Sequence, residues 1–140
     1  MSSLPLSETL HKLVHAYKTQ LRSDIMAQNI TLPVTHIRVL KGVCRNPECT
    51  AQSIVQRIQR DKAQITRVLN ELQRTGLITK IDNPNDGRSQ LLRPTRAGEK
   101  IMAQIMIAER QTVAHMTQGL SAGDVETFIR LATIITNSVE

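Results

Sequence analysis

The sequence predicts a mainly α-helical protein carrying one small β-hairpin. Apolar residues recur at spacings of three and four toward both ends of the chain, which is the helical period. The period switches once to two, on either side of the turn cluster Asn83-Pro84-Asn85-Asp86-Gly87. The chain is 140 residues long, 40% hydrophobic and 21% charged, enough for one compact core and too apolar for a disordered tail.

The first helix is marked by Leu6, Leu10, Leu13, Val14, Tyr17, Leu21 and Ile25, with Ser7 as its expected N-cap. Pro33 suits the first turn of a second helix, which runs to about Cys44 with Ile37, Leu40 and Val43 inward and ends at Asn46-Pro47. A short helix spans about Ala51 to Ile58, and a break falls near Gln59-Arg60. Asp61 is placed to cap a fourth helix ending near Thr75, whose buried stripe is Ile65, Val68, Leu69 and Leu72. Gly76 fits the left-handed residue just past its end.

Leu77 to Ile81 reads as a strand and Ser89 to Arg93 as its return, stopped by Pro94. A long helix follows from Thr95 to about Thr117, with Ile101, Met102, Ile105, Met106, Val113 and Met116 on its apolar side. Gly119 breaks it. Ser121 with Asp124 three residues on forms an expected capping box, opening a last helix with Val125, Phe128, Ile129, Ala132, Ile135 and Val139.

Two helices, a tight turn and a hairpin are the parts of a winged helix-turn-helix, here flanked by N- and C-terminal helices. The chain is read as a single domain over 1–140, with about 33–98 as the winged helix-turn-helix. Residues 1–30 and 99–140 are left with apolar stripes that a small domain can hardly cover, so they are read as dimerisation helices meeting a second copy.

Charge distribution narrows the function. The chain carries 18 Lys+Arg against 12 Asp+Glu, a net +6. Residues 51–98 hold nine bases (Arg57, Arg60, Lys62, Arg67, Arg74, Lys80, Arg88, Arg93, Arg96) and four acids (Asp61, Glu71, Asp82, Asp86), so +5 of that charge lies there. Such concentration is expected of a site for a polyanion. Opposite its apolar stripe, the fourth helix shows Lys62, Gln64, Thr66, Arg67 and Asn70. Gln and Asn pair bidentately with adenine and Arg with guanine in the major groove, while Thr and helix N-terminal amides suit phosphate. A polar outer face is ordinary for any solvated helix, but the basic hairpin that follows makes this one a candidate reader of double-stranded DNA. At the hairpin tip, Arg88 is placed to enter a minor groove, with Asp86 holding either the turn or the arginine.

Other chemistry is thin. The motifs of serine hydrolases, phosphate-cradling loops and zinc peptidases are absent, so no enzyme, no catalytic residue and no cofactor is expected. His11 and His15 share a helix face at metal-binding spacing, but Lys18 and Arg22 continue that face and oppose a cation, so no metal site is expected. His36, His115 and Tyr17 are isolated candidates for lining a pocket. With one Tyr, one Phe and no Trp, an aromatic-rich ligand pocket is excluded. Cys44 and Cys49 flank the loop between the second and third helices and are the redox candidates, against a reading as a buried hydrophobe and an incidental thiol. No apolar run approaches the ~18 residues of a membrane span, and the first twenty residues lack a secretory pattern. These features fit a cytoplasmic protein of bacterial type with no membrane partner.

The stretch Asp61-Lys62-Ala63-Gln64-Ile65-Thr66-Arg67-Val68-Leu69-Asn70-Glu71-Leu72, then Gly76-Leu77-Ile78, Asp86-Gly87-Arg88-Ser89 and Pro94-Thr95-Arg96-Ala97-Gly98, resembles the MarR (multiple antibiotic resistance regulator) family of bacterial transcription factors. Leu32 to Leu40 is similar to that family's second helix, and the resemblance runs in order over essentially the whole chain. It implies a symmetric homodimer with interlocked terminal helices. Two recognition helices would enter successive major grooves of a pseudo-palindromic operator, and two wings would reach minor grooves. Arg67 matches the recognition-helix arginine, and Asp86 and Arg88 match the wing residues. Gly87 departs from the family's frequent Arg, which removes one wing phosphate contact, and Pro94 replaces the common Leu before Thr95. The resemblance further implies a repressor that releases DNA on binding a small-molecule effector or on cysteine oxidation. Family redox sensors carry their cysteine near the N-terminus, where this chain has none. A thiol- or metal-responsive sensor of the same fold and a winged-helix protein-interaction module remain the competing readings.

Overall fold

The computed structural model of the chain describes residues 4–58 and 60–139. The elements are α1 (Leu4–Ala27), α2 (Val34–Arg45), α3 (Ala51–Ile58), α4 (Lys62–Arg74), β1 (Ile78–Asp82), β2 (Gln90–Pro94), α5 (Arg96–Met116) and α6 (Ala122–Asn137). They fall into two compact units. Among the described residues, one lies within Met26–Met106 and the other joins residues 4–25 with residues 107–139.

The central unit holds the larger core. Leu40, Val39 and Val43 of α2, Ile54 of α3, Ile65, Val68, Leu69 and Leu72 of α4, Ile78 and Leu92 of the hairpin, and Ile105 of α5 are buried together with Cys49. The inward residues expected for α2 and α4 are the buried ones, because a 3.6-residue period puts them on one stripe. Val39 joins them in α2.

Helix starts differ from the sequence reading in three places. Ser7 is not an N-cap: α1 already runs from Leu4, with Ser7 inside it. Pro5 accounts for the earlier start, since a proline in the first turn has no N–H to leave unpaired and a φ already helical. Pro33 stands one place outside α2, at the cap position, where its carbonyl accepts the Ile37 N–H at 3.1 Å. Asp61 occupies the cap position of α4 and its carbonyl accepts the Ile65 N–H at 3.0 Å, but its side chain makes no capping bond. The break expected at Gln59-Arg60 falls partly on Gln59, outside the described residues; Arg60 is non-helical. The capping box at α6 forms as expected. Ser121 Oγ accepts the Asp124 N–H at 3.1 Å, and Asp124 Oδ2 accepts the Ser121 N–H at 2.9 Å.

The hairpin is antiparallel, with Ile78 opposite Pro94 and Asp82 opposite Gln90. Both strands lie one residue later than the sequence reading placed them. Leu77 sits in the bend after α4, and Pro94 is the last paired position rather than the stop beyond it. Proline is tolerated there because a strand end need not donate to the ladder. On its other edge β2 is held by the Leu92 N–H, which donates to the Cys49 carbonyl at 2.8 Å.

The two ends of the hairpin are tied where α4 stops. Gly76 takes a left-handed φ of 79°. The Leu77 carbonyl accepts the Thr95 N–H at 3.0 Å, Thr95 Oγ1 donates to the Gly76 carbonyl at 2.5 Å, and the same hydroxyl accepts the Gly98 N–H at 3.1 Å. A Cβ on Gly98 would lie 2.1 Å from the Leu77 oxygen. Only glycine lets the start of α5 approach the strand this closely.

The terminal unit is built differently. Its buried residues include a polar pair, Asp24 and Thr112. Thr112 Oγ1 donates to Asp24 Oδ2 at 2.6 Å, Gln20 Nε2 reaches both carboxylate oxygens at 3.2 and 3.3 Å, and His115 Nδ1 stands 3.4 Å from Oδ2. The Thr112 hydroxyl holds the Asp24 carboxyl below the usual carboxylate range; burial opposes this, and Gln20 and His115 add to the lowering. In α6 no residue is buried. Phe128, Ile129, Ile134 and Ile135 remain about half exposed, as do Leu6, Leu10 and Val14 of α1.

Two outcomes follow from this packing. Gly98→Ala is expected to destabilise the central unit by about 1–3 kcal/mol in denaturant titrations, because the methyl must displace a backbone carbonyl. Asp24 has a folded pKa below its unfolded value of about 3.9, so its stabilisation is complete above that value and fades as pH falls through the lowered one. Asp24→Asn lacks this dependence. Thermal melts taken from about pH 7 to about pH 3 should therefore fall less steeply for the variant.

Candidate nucleic-acid interface

The buried stripe of α4 fixes what its other side presents. At about 100° per residue, Arg67, Asn70 and Arg74 lie together opposite Ile65, Leu69 and Leu72. Lys62, Thr66, Arg67 and Asn70 are all exposed, and Gln64 is half-buried. Lys62 and Gln64 stand at the two borders of the face, Thr66 between Lys62 and the centre. Arg74, counted above only among the bases of the segment, shares this face because it lies seven residues after Arg67.

The wing tip is a hydrogen-bonded turn. Asp86 Oδ1 accepts the Arg88 N–H at 3.0 Å, the Asp86 carbonyl accepts the Ser89 N–H at 3.2 Å, and Asn83 Oδ1 accepts the Asn85 N–H at 3.0 Å. Asn83 Nδ2 closes the base by donating to Ser89 Oγ at 3.0 Å. Of the two roles open to Asp86, the carboxylate takes the first: it holds the backbone of the turn. Arg88 is left exposed, with no carboxylate in ion-pair range among the described residues. Gly87 has open space around it.

Behind the wing, a groove of about 320 Å³ is lined by Glu48, Asn83, Pro84, Asn85, Leu91 and Arg93. It carries charges of both signs. Arg93 Nε is buried there without a hydrogen-bond partner. The start of α3 is capped reciprocally: Thr50 Oγ1 accepts the Ser53 N–H at 3.1 Å and Ser53 Oγ the Thr50 N–H at 2.9 Å.

The remaining candidates are dispersed. His11 and His15 are exposed on α1. His36 of α2 pairs through Nε2 with Glu71 Oε2 of α4 at 2.5 Å, tying α4 to its neighbour. His115 is spent on Asp24 and Gln20, and Tyr17 is 39% exposed. Among the described residues, no group of three His, Cys, Asp or Glu could hold a metal ion. Both cysteines are free thiols. Burial pushes the Cys44 and Cys49 thiols up, the reverse of what a reactive thiolate needs. Among the described residues, no helix is long and apolar enough to cross a membrane.

Three helices closed by a two-stranded wing, with a polar helix face and a cationic wing tip outward, define a winged helix-turn-helix. Residues 30–89 match the family model of the MarR family. Over 61 residues the chain is 38% identical to the HTH-type transcriptional regulator BilQ of Clostridioides difficile (strain CD3). That match spans 44% of this chain and only 41% of its curated relative. A mutant MarR from E. coli complexed with operator DNA shares the fold with a TM-score of 0.76 at 23% identity, over 94% of this chain and 93% of that one. PcaV from Streptomyces coelicolor, in complex with its natural ligand, does so with a TM-score of 0.66 at 21% identity, over 96% and 92%. Over residues 30–89 the chain is thus similar to the MarR family, and it shares the fold of these solved structures. The curated relative it matches is a transcriptional regulator.

Proposed function

We propose that the protein is a cytoplasmic, sequence-specific regulator of transcription that binds double-stranded DNA as a homodimer, acting as a repressor on a pseudo-palindromic operator. The observation that carries this reading is the pairing of two exposed surfaces in one unit: the α4 face with Arg67 and Asn70, and the wing tip with Arg88. Arg67, Asn70 and Gln64 read base edges in the major groove; Lys62 and Thr66 contact phosphate at the start of α4. Arg88 enters the minor groove, and Asp86 keeps its turn in shape. The operator complex of the E. coli relative supports the same use of this fold.

The second copy is called for by α1 and α6, whose apolar side chains stand half exposed beyond what a monomer tolerates. A two-fold interface there would bury well over ~2,000 Å², the scale of obligate dimers. A small-molecule effector is part of the reading, supported by the ligand-bound S. coelicolor relative.

Binding is tested on a duplex that the protein selects from a random pool. Arg67→Ala is expected to lose about 1–3 kcal/mol of specific affinity, and Arg88→Ala to weaken binding with an unchanged circular-dichroism spectrum. With roughly six to ten phosphate contacts per dimer, log affinity should fall with log salt at a slope of about −5 to −9. A slope shallower than about −2, with both variants binding as wild type, defeats the reading in favour of a protein-interaction module. Ile135→Asp is expected to lower the thermal midpoint and DNA affinity together, with light scattering reporting the loss of the dimer; a wild-type monomer at micromolar concentration contradicts the assembly.

A further inference from the structure

A second cationic site lies away from both the reading face and the wing. On α2, Arg38, Lys41 and Arg45 recur at spacings of three and four, so they share one outward stripe. Gly42 sits in the same turn, and a Cβ there would come within 2.8 Å of Ile54 Cδ1 of α3. The end of the Ile54 side chain thus fills the space beside Gly42, where α3 lies close against α2. That approach sets Arg57 and Ile58, at the end of α3, beside the stripe. The result is a groove of about 250 Å³ lined by Arg38, Lys41, Gly42, Arg45, Arg57 and Ile58. Four of six lining residues are cations and none is an acid. Arg38, Arg45 and Arg57 have no carboxylate in ion-pair range among the described residues.

Like charges converging on one concavity repel each other. Among the described residues no acid lines the groove, and no carboxylate there offsets the charge of Arg38, Arg45 and Arg57. Planar guanidinium groups recognise phosphate through paired N–H donors, which a solvated surface lysine does not match. We propose that the α2–α3 groove is an anion site for a phosphate group or a short run of phosphates, separate from the base-reading surface. The site stands on its own geometry and does not need the DNA-binding reading. Its phosphate has two possible sources, the backbone of DNA flanking the operator or a free phosphorylated small molecule.

The test uses the full-length protein and the variant Arg45→Ala with Arg57→Ala, both positions being exposed. Isothermal titration with inorganic tripolyphosphate at low salt is expected to give one site per chain in the wild type, weakened about tenfold or more in the double variant. The double Arg→Lys variant keeps the charge but loses the paired donors, and is expected to fall between the two. Equal binding by wild type and the double alanine variant, or no binding to either, overturns the proposal. Two selected duplexes then separate the sources, one trimmed to the operator and one longer by about a helical turn at each end. If the backbone is the source, extension tightens wild-type binding and not the variant's, and the salt slope of the variant is shallower by about 3 to 4 for four arginines in a dimer. If a free phosphorylated molecule is the source, the two proteins bind both duplexes alike while only the wild type holds tripolyphosphate. The tripolyphosphate arm contains no DNA, so loss of operator binding in Arg67→Ala leaves it untouched.

Discussion

The approach of Gly98 to the Leu77 carbonyl is the constraint on which the winged helix depends. At that point the chain has finished α4, made one strand, crossed the wing, returned, and begun α5. The Thr95 hydroxyl and amide bind the Gly76–Leu77 backbone, and the Gly98 N–H closes back on Thr95. The wing is thereby clamped at its root to the end of the helix it accompanies. With the root fixed, the distant tip can be a small turn maintained by Asp86 and Asn83, and its exposed arginine still has a defined place in the unit.

The core behind α4 does the complementary job. Ile65, Val68, Leu69 and Leu72 are all at most 3% exposed, so the helix cannot rotate about its axis without exposing apolar surface. Rotation is further held by the His36–Glu71 pair with α2. Orientation of Arg67 and Asn70 thus follows from burial on the far side of the same helix. Cys49 belongs to this framework as well: its backbone carbonyl carries the β2 edge bond, and its side chain fills the core. That is a structural use of a residue that spacing alone made a redox candidate.

The terminal helices obey a different balance. The central unit closes on apolar side chains, whereas in the terminal unit the fully enclosed contact is a carboxylate held by a hydroxyl. A buried carboxylate is tolerable only when its lone pairs are met, which makes Asp24 a positional lock between two helices rather than a source of bulk cohesion. Most of the apolar surface of α1 and α6 is left facing outward. That exposed surface is what the proposed two-fold interface would cover.

Much of this was legible from residue order. The apolar period marked the buried stripes of α2 and α4, because burial by a helix is a matter of spacing, and α3 lies about where it was expected. Gly76 and the Ser121–Asp124 box were equally local, each decided by a backbone angle or by a bond three residues away. The outward residues of α4 and the tip arginine were legible for the same reason. Strand register was not, since Pro94 and Leu77 are placed by the long-range bonds from Thr95. Ser7 and the Asp61 side chain were misjudged because good cap residues are common and an upstream proline or an unmade bond decides between them. Only the tertiary structure chose between the roles of Asp86, buried Cys49 and half-buried Cys44, and joined Asp24 to Thr112 across 88 positions of sequence. It alone brought α2's arginines, which lie outside the basic segment, against Arg57. Local order specifies which faces exist, and packing of distant segments decides which of them meet.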